Sequence, residues 1–275
     1  MTTPRSFSSS LAKYFLALGI LAPALTSANQ SNEVGLGLAD IRDVDDQFIG
    51  VYYTRYLEPV DTKTGPLSLS PYLHRADSIT GRYFGIHDND RYELGGQMFV
   101  GNEWHFTGNV RYIDSDRFAD SDYKSVDLRA GYFLSADWQV GAGVLYEREE
   151  NDYHYFDGQS WQAGTASRTE FLPSIFTRYT QIKNGEGWDV AAQVTLSDYD
   201  TAELSGQYFF SPRFSLFSTY TYRNNRDEFE DDTHLLEAGA DYWFTPSFST
   251  RFGLGTRLNG GDRIESVTLL ASYRF

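Results

Sequence analysis

The chain has 275 residues, 38 acidic against 23 basic, a net charge of −15 and no cysteine. That balance argues against a nucleic-acid partner, whose phosphates select basic surfaces. Without cysteine there is no disulfide framework, thiolate metal site or thiol nucleophile.

The first 28 residues read as a signal peptide. Arg5 and Lys13 form a positive start, residues 14–25 are apolar, and Thr26-Ser27-Ala28 offers small residues for cleavage. Twelve apolar residues are too few to cross a bilayer as a helix, which takes about 20. No later segment reaches 18 consecutive apolar residues, so no transmembrane helix is expected after the leader. Removing Arg5 and Lys13 takes the net charge to −17, suited to a chain that stays soluble while crossing the periplasm.

Residues 34–40 and 47–57 read as a hairpin across a polar turn at 42–46. Residues 58–78 do not alternate and contain Pro59, Pro66 and Pro71, so they are expected to form an inward or periplasmic connection rather than a central strand. Residues 79–86 read as the next strand.

From Tyr92 onward the chain falls into segments of about ten residues that alternate in polarity. Side chains of a strand point to opposite faces in turn, so every second residue shares one environment. Tyr92, Leu94, Gly96, Met98 and Val100 oppose Glu93, Gly95, Gln97 and Phe99; Trp104, Phe106, Gly108, Val110 and Tyr112 oppose His105, Thr107, Asn109 and Arg111. The rhythm continues to Val267, Leu269, Ala271, Tyr273 and Phe275, which oppose Ser266, Thr268, Ser272 and Arg274. Aromatics gather at segment ends while Gly, Ala, Val and Leu fill the middles, the banding expected of interfacial girdles. Ten residues also suit a tilted strand crossing a bilayer core. The fold class is therefore all-β: a transmembrane antiparallel up-and-down β-barrel of about 14 strands over residues 29–275, or 12 if the first hairpin lies outside the wall. The even count puts both termini at the periplasmic side of a Gram-negative outer membrane.

The connections alternate in length. Short ones at 101–103, 135–137, 183–187, 211–213 and 245–247 are expected to be periplasmic turns. Longer polar ones at 114–123, 149–168, 223–233 and 259–263 are expected outside the cell. The inward faces carry Arg82, Arg111, Arg129, Arg178, Arg223, Arg251, Arg257 and Arg274 against Glu93, Asp127, Glu147, Asp189, Glu203, Glu237 and Asp241. Such a set either lines an open, narrow pore or forms a salt-bridge network in a closed barrel. The pore reading predicts passive diffusion of small hydrophilic solutes or ions, with a weak cation preference from the acidic excess.

Competing readings are few. Asp88-Asn89-Asp90 and Asp232-Thr233-His234 invite comparison with an outer-membrane aspartyl-type protease, which needs both pairs at one rim around one water. The acidic run 227–232 lacks a ligand spacing and reads as a solvated loop. Residues 149–168 hold Tyr153, Tyr155, Phe156 and Trp161 and suit an adhesive or structural barrel, or a loop folded into the lumen. No catalytic residue, metal site or cofactor is expected. Expected partners are outer-membrane lipid, lipopolysaccharide and small hydrophilic solutes.

Within residues 56–80 a motif stands out. Tyr56, Pro59, Val60, Gly65, Pro66, Leu67, Tyr72, Leu73 and Arg75 resemble an aromatic-x-x-Pro-Val segment, a Gly-Pro-Leu turn and an aromatic–Leu–x–Arg element. The pattern is similar to that of the putative general bacterial porin family, and the rest of the chain is similar in length and strand rhythm. The resemblance implies a passive porin and leaves the solute open. The terminal Tyr273 and Phe275 resemble the signal read by the barrel-assembly machinery.

Overall fold

The computed structural model describes residues 30–41, 47–86, 89–115, 121–156, 161–197, 200–224, 232–259 and 264–275. The signal peptide expected at residues 1–28, Asp88 and most of the acidic run at 227–232 lie outside them. The described chain forms fourteen strands: β1 (Asn32–Ile41), β2 (Gln47–Tyr56), β3 (Ser78–Ile86), β4 (Asn89–Val100), β5 (Trp104–Ser115), β6 (Ser121–Phe133), β7 (Trp138–Phe156), β8 (Trp161–Lys183), β9 (Glu186–Thr195), β10 (Thr201–Ser211), β11 (Phe214–Arg223), β12 (Thr233–Trp243), β13 (Phe248–Arg257) and β14 (Ile264–Arg274). Each pairs with its sequence neighbours, and β1 pairs with β14 to close the barrel. The first hairpin is in the wall, so the count is 14 rather than 12.

Closure leaves no edge strand, which matters in lipid because an unpaired backbone group there has no water to bond. At the seam Val34 stands opposite Tyr273 and Leu38 opposite Leu269. Asn32 and Phe275 exchange two backbone hydrogen bonds of 2.8 Å below that register.

The outer face is apolar and open: Leu94, Met98, Val110, Leu128, Ile175 and Leu204 are all exposed. Exposure on this scale would favour aggregation in water and is the favoured state in hydrocarbon. Aromatic rings encircle the short-turn rim, with Trp104 against Tyr132 at 5.1 Å and Trp188 against Tyr208 at 4.3 Å. A second group at the opposite rim joins Tyr83, Tyr92 and Tyr112 at 5.3 and 6.3 Å.

Turn chemistry fixes the short-turn rim. Between β8 and β9, Asn184 and Gly185 both take positive φ (55° and 83°), the two-residue hairpin turn whose twist matches the flanking strands. By the rule for outer-membrane barrels this rim, which also carries Asn32 and Phe275, faces the periplasm.

One connection differs from expectation. Residues 149–156 and 161–168 are not loop: β7 and β8 run on as a paired hairpin with Phe156 opposite Trp161. Pairing of β6 to β7 ends at Asn151, and pairing of β9 to β8 ends at Ser174, so the hairpin continues past both neighbours. Pro173 sits where β8 leaves β9, a place where its missing N–H breaks no ladder.

The inner face is less uniformly polar than alternation suggests. Tyr52, Phe84, Phe176 and Phe217 lie over Gly35, Gly50, Gly141 and Gly239 of adjacent strands, leaving no room for a Cβ at those glycines. Rings laid over glycine shield exposed backbone and let the wall bend. A methyl at Gly239 would meet the Phe252 carbonyl oxygen and come 2.6 Å from the Phe217 ring. Gly239→Ala is therefore expected to destabilise the barrel by roughly 1–3 kcal/mol, the usual cost of overpacking. The check is the temperature at which the compact, fast-migrating form disappears on a heated gel; an unchanged transition would contradict it.

Candidate functional site: a charged lumen with a strap across one mouth

Residues 57–77 fold into the barrel from the periplasmic rim. Leu57 N–H donates to the Asp77 carbonyl at 2.9 Å, closing a neck from which a strap extends. Pro66, a left-handed Gly65 (φ 76°) and the single helical turn α1 (Ser70–Leu73), with Pro71 in its first turn, shape it. Leu67, Leu69, Ser70 and Ala76 are buried.

The strap is held from both sides of the mouth. On one side Leu67 N–H donates to the Pro212 carbonyl at 2.9 Å, and Arg274 Nη1 donates to the Leu67 carbonyl at 3.2 Å. On the other, Gln97 Nε2 donates to the Ala76 carbonyl at 2.8 Å and Arg75 lies 4.5 Å over the Phe133 ring. Tyr72 is the central anchor. Its hydroxyl donates to Gln139 at 3.2 Å, it meets the Phe99, His105 and Phe133 rings, and the Arg178 guanidinium lies 3.6 Å over its face.

Above the strap the lumen holds a cavity of about 780 Å³ bordered by β1–β5 and β12–β14, and a smaller one of about 220 Å³ against β5–β10. The inward charges fall into groups. Glu93 receives Arg82, Arg91 and Arg111 from β3, β4 and β5. Arg129 pairs with Asp127 and donates to Gln193 at 2.6 Å; β7 and β8 lie between these strands, so this bond is a chord inside the barrel. Arg178 and Thr180 both bond Asp189, and Tyr123 donates to Glu147. Asp241 stands opposite Arg251, whose guanidinium lies 3.8 Å over Phe217.

Glu203 lines the smaller cavity and Glu237 the larger. Arg223 and Arg257 sit at the far rim, Arg257 3.9 Å from Glu265. Arg274 is only 2 % exposed: it pairs with Glu33 at 2.7 Å beneath the strap and does not reach open lumen water. Of the two terminal aromatics, Tyr273 shares the outer face with Val34 and stacks on Phe275 at 5.9 Å.

Of the protease pairs, the described Asp90, Asp232 and His234 are not brought together. Asp90 accepts from Tyr83 at 2.7 Å, while His234 bonds Tyr220 at 2.7 Å and Asp232 accepts from Tyr222. These residues belong to β4 and to β12 with its leading loop, with five strands between them by the shorter path.

Tyr72, Tyr52, Phe84 and Leu270 line or anchor the site and do not follow from the charge pattern of the sequence. Arg91 falls one residue before Tyr92, where the clear alternation begins, and so escapes that pattern too. The inward-connection reading of residues 58–78 points to the strap, but its anchors depend on distant strands.

A closed, 14-stranded antiparallel barrel with an apolar belt has the architecture of an outer-membrane barrel. The model of the putative general bacterial porin family matches residues 22–172, more than half the chain, and the protein belongs to that family. Among solved structures it is similar to the outer membrane protein Omp33 of Acinetobacter baumannii, at 15 % identity and a TM-score of 0.59, covering 90 % of this chain and 99 % of that one. It is also similar to a mutant of the TodX monoaromatic hydrocarbon channel, at 11 % identity and a TM-score of 0.55, covering 93 % of each chain. At these identities the likeness concerns the fold alone. No curated protein matches.

Proposed function

We propose that the protein is a passive outer-membrane channel for small hydrophilic solutes, narrowed at its periplasmic mouth by the strap at residues 57–77. The observation that carries this reading is the 780 Å³ cavity inside the closed wall, bordered by arginines that keep much of their surface open. Arg82 and Arg91 side chains are 48 % and 40 % exposed although they belong to the inner face. A guanidinium holds that much exposure in a barrel interior when water fills it, because burying an unpaired charge is costly. Diffusion through such a lumen needs no chemistry from the protein; charge and width select the solute.

The strap supports a narrow conductance rather than a wide one. Purified protein in planar bilayers is expected to give discrete, small conductance steps in potassium chloride. Correctly folded, inserted barrels that conduct nothing would favour a closed structural barrel and overturn the channel reading.

A further inference from the structure

We propose that the β3–β5 wall of the large cavity is a subsite for organic carboxylates with an apolar body, an inference that rests on the channel reading and gives it a solute class. Glu93, Arg82 and Arg111 stand directly opposite one another across β3, β4 and β5. The Glu93 side chain is 3 % exposed, and three guanidiniums converge on it. Arg91 Nε and Arg111 Nε donate to its Oε1 at 2.7 and 2.8 Å, while Arg82 Nη1 reaches Oε2 only at 3.4 Å. Among the described residues only Glu93 forms an ion pair with them, so within these contacts the three guanidiniums exceed the one carboxylate by two charges.

Three guanidiniums gathered on one carboxylate repel one another unless something offsets them. Each guanidinium has five N–H donors in a planar fork suited to a carboxylate, and Glu93 occupies few of them. Arg82, with the longest contact and the greatest exposure, is the guanidinium best placed to meet a solute.

The neighbouring lining is apolar. Along one row of the sheet run Arg91, Phe84, Gly50, Gly37, Leu270 and Arg251, in direct cross-strand register. Phe84 covers Gly50 and Leu270 borders Gly37, so the row between its charged ends is an apolar saddle with Tyr52 beside it. At its far end one carboxylate, Asp241, stands opposite the one guanidinium of Arg251, whereas at the near end three guanidiniums share Glu93. Glu237, on the opposite lining, repels an anion and favours its carboxylate at the β3–β5 wall. A mainly apolar cavity of this size with a few convergent charged groups matches the build of small-molecule sites. The sign is opposite to the cation preference expected from net charge, because the wall and not the whole chain sets the local field.

The test uses the full chain with benzoate, acetate and benzylammonium as probes. In bilayers, reversal potentials are expected to rank benzoate above acetate and to disfavour benzylammonium against potassium. Arg82→Gln should lower the relative benzoate permeability about fourfold, the effect of one unit charge near 5 Å in a wet lumen. Glu93→Gln should raise it, a direction that mere loss of structure does not give. Benzoate no better than acetate, or unmoved by both variants, overturns the subsite. If the wild type conducts nothing in potassium chloride, the channel reading fails separately. Saturation-transfer NMR of benzoate on the folded barrel in detergent then decides the subsite by itself: transfer that Arg82→Gln abolishes supports it, and no transfer overturns it.

Discussion

Replacing residues 62–74 with a short Gly–Ser turn should raise the single-channel conductance several-fold while leaving the barrel folded. The strap crosses the periplasmic mouth from the Pro212 turn and Arg274 to Gln97, Gln139 and Arg178, so removing it opens that mouth. The wall does not depend on it. Tyr56 already stands opposite Ser78 in the β2–β3 ladder, and the Leu57–Asp77 bond closes the neck independently. Tyr72→Ala is the milder companion. It removes the ring clamped under Arg178 and should give a smaller increase, or more frequent switching between levels. Folding is checked by retained heat-modifiable mobility. Equal conductance in wild type and the strapless variant would place the limiting constriction elsewhere.

Arg274→Met should cost about 3–5 kcal/mol of stability, the usual penalty for removing one partner of a buried ion pair. Arg274 is 2 % exposed and Glu33 11 %, and they join β14 to β1 at the seam. The guanidinium also lies 4.7 Å over Trp243 and bonds the Leu67 carbonyl. Without it Glu33 keeps only the hydroxyls of Tyr52 and Tyr56, at 2.6 and 3.1 Å. The double variant Glu33→Leu/Arg274→Met should recover most of the loss, because replacing both members leaves no uncompensated charge. Urea titration of the barrel in micelles measures both. A single variant as stable as wild type would show that the pair contributes nothing.

Much of this architecture is legible in the sequence because lipid enforces it. A strand between hydrocarbon and water must alternate, and Leu94, Met98 and Val110 against Glu93, Gln97 and Arg111 show that period without any structure. The same logic explains the failure at residues 149–168. Beyond the membrane no hydrocarbon selects one face, so Glu149, Arg168 and Glu170 carry no alternation although the backbone stays paired. The strap is visible only as a break in the pattern. Its inward path depends on partners such as Gln139 and Arg274, 67 and 207 residues from the strap atoms they meet. Phe84 and Phe217 escape notice because an inward aromatic makes sense only beside the glycine it covers, and that glycine is on another strand.

The seam also imposes an order of events. Glu33 and Arg274 are 241 residues apart, so their meeting closes nearly the whole barrel into one loop, the kind of contact that forms late and slowly. Arg274 then holds Leu67 as well. The Arg274 anchor of the strap therefore forms only once the fourteenth strand is in place, whereas Pro212 can take the Leu67 N–H earlier. Reversal runs the other way: a barrel that parts at this seam loses the Arg274 hold on the strap, while Pro212, Gln97 and Gln139 keep theirs.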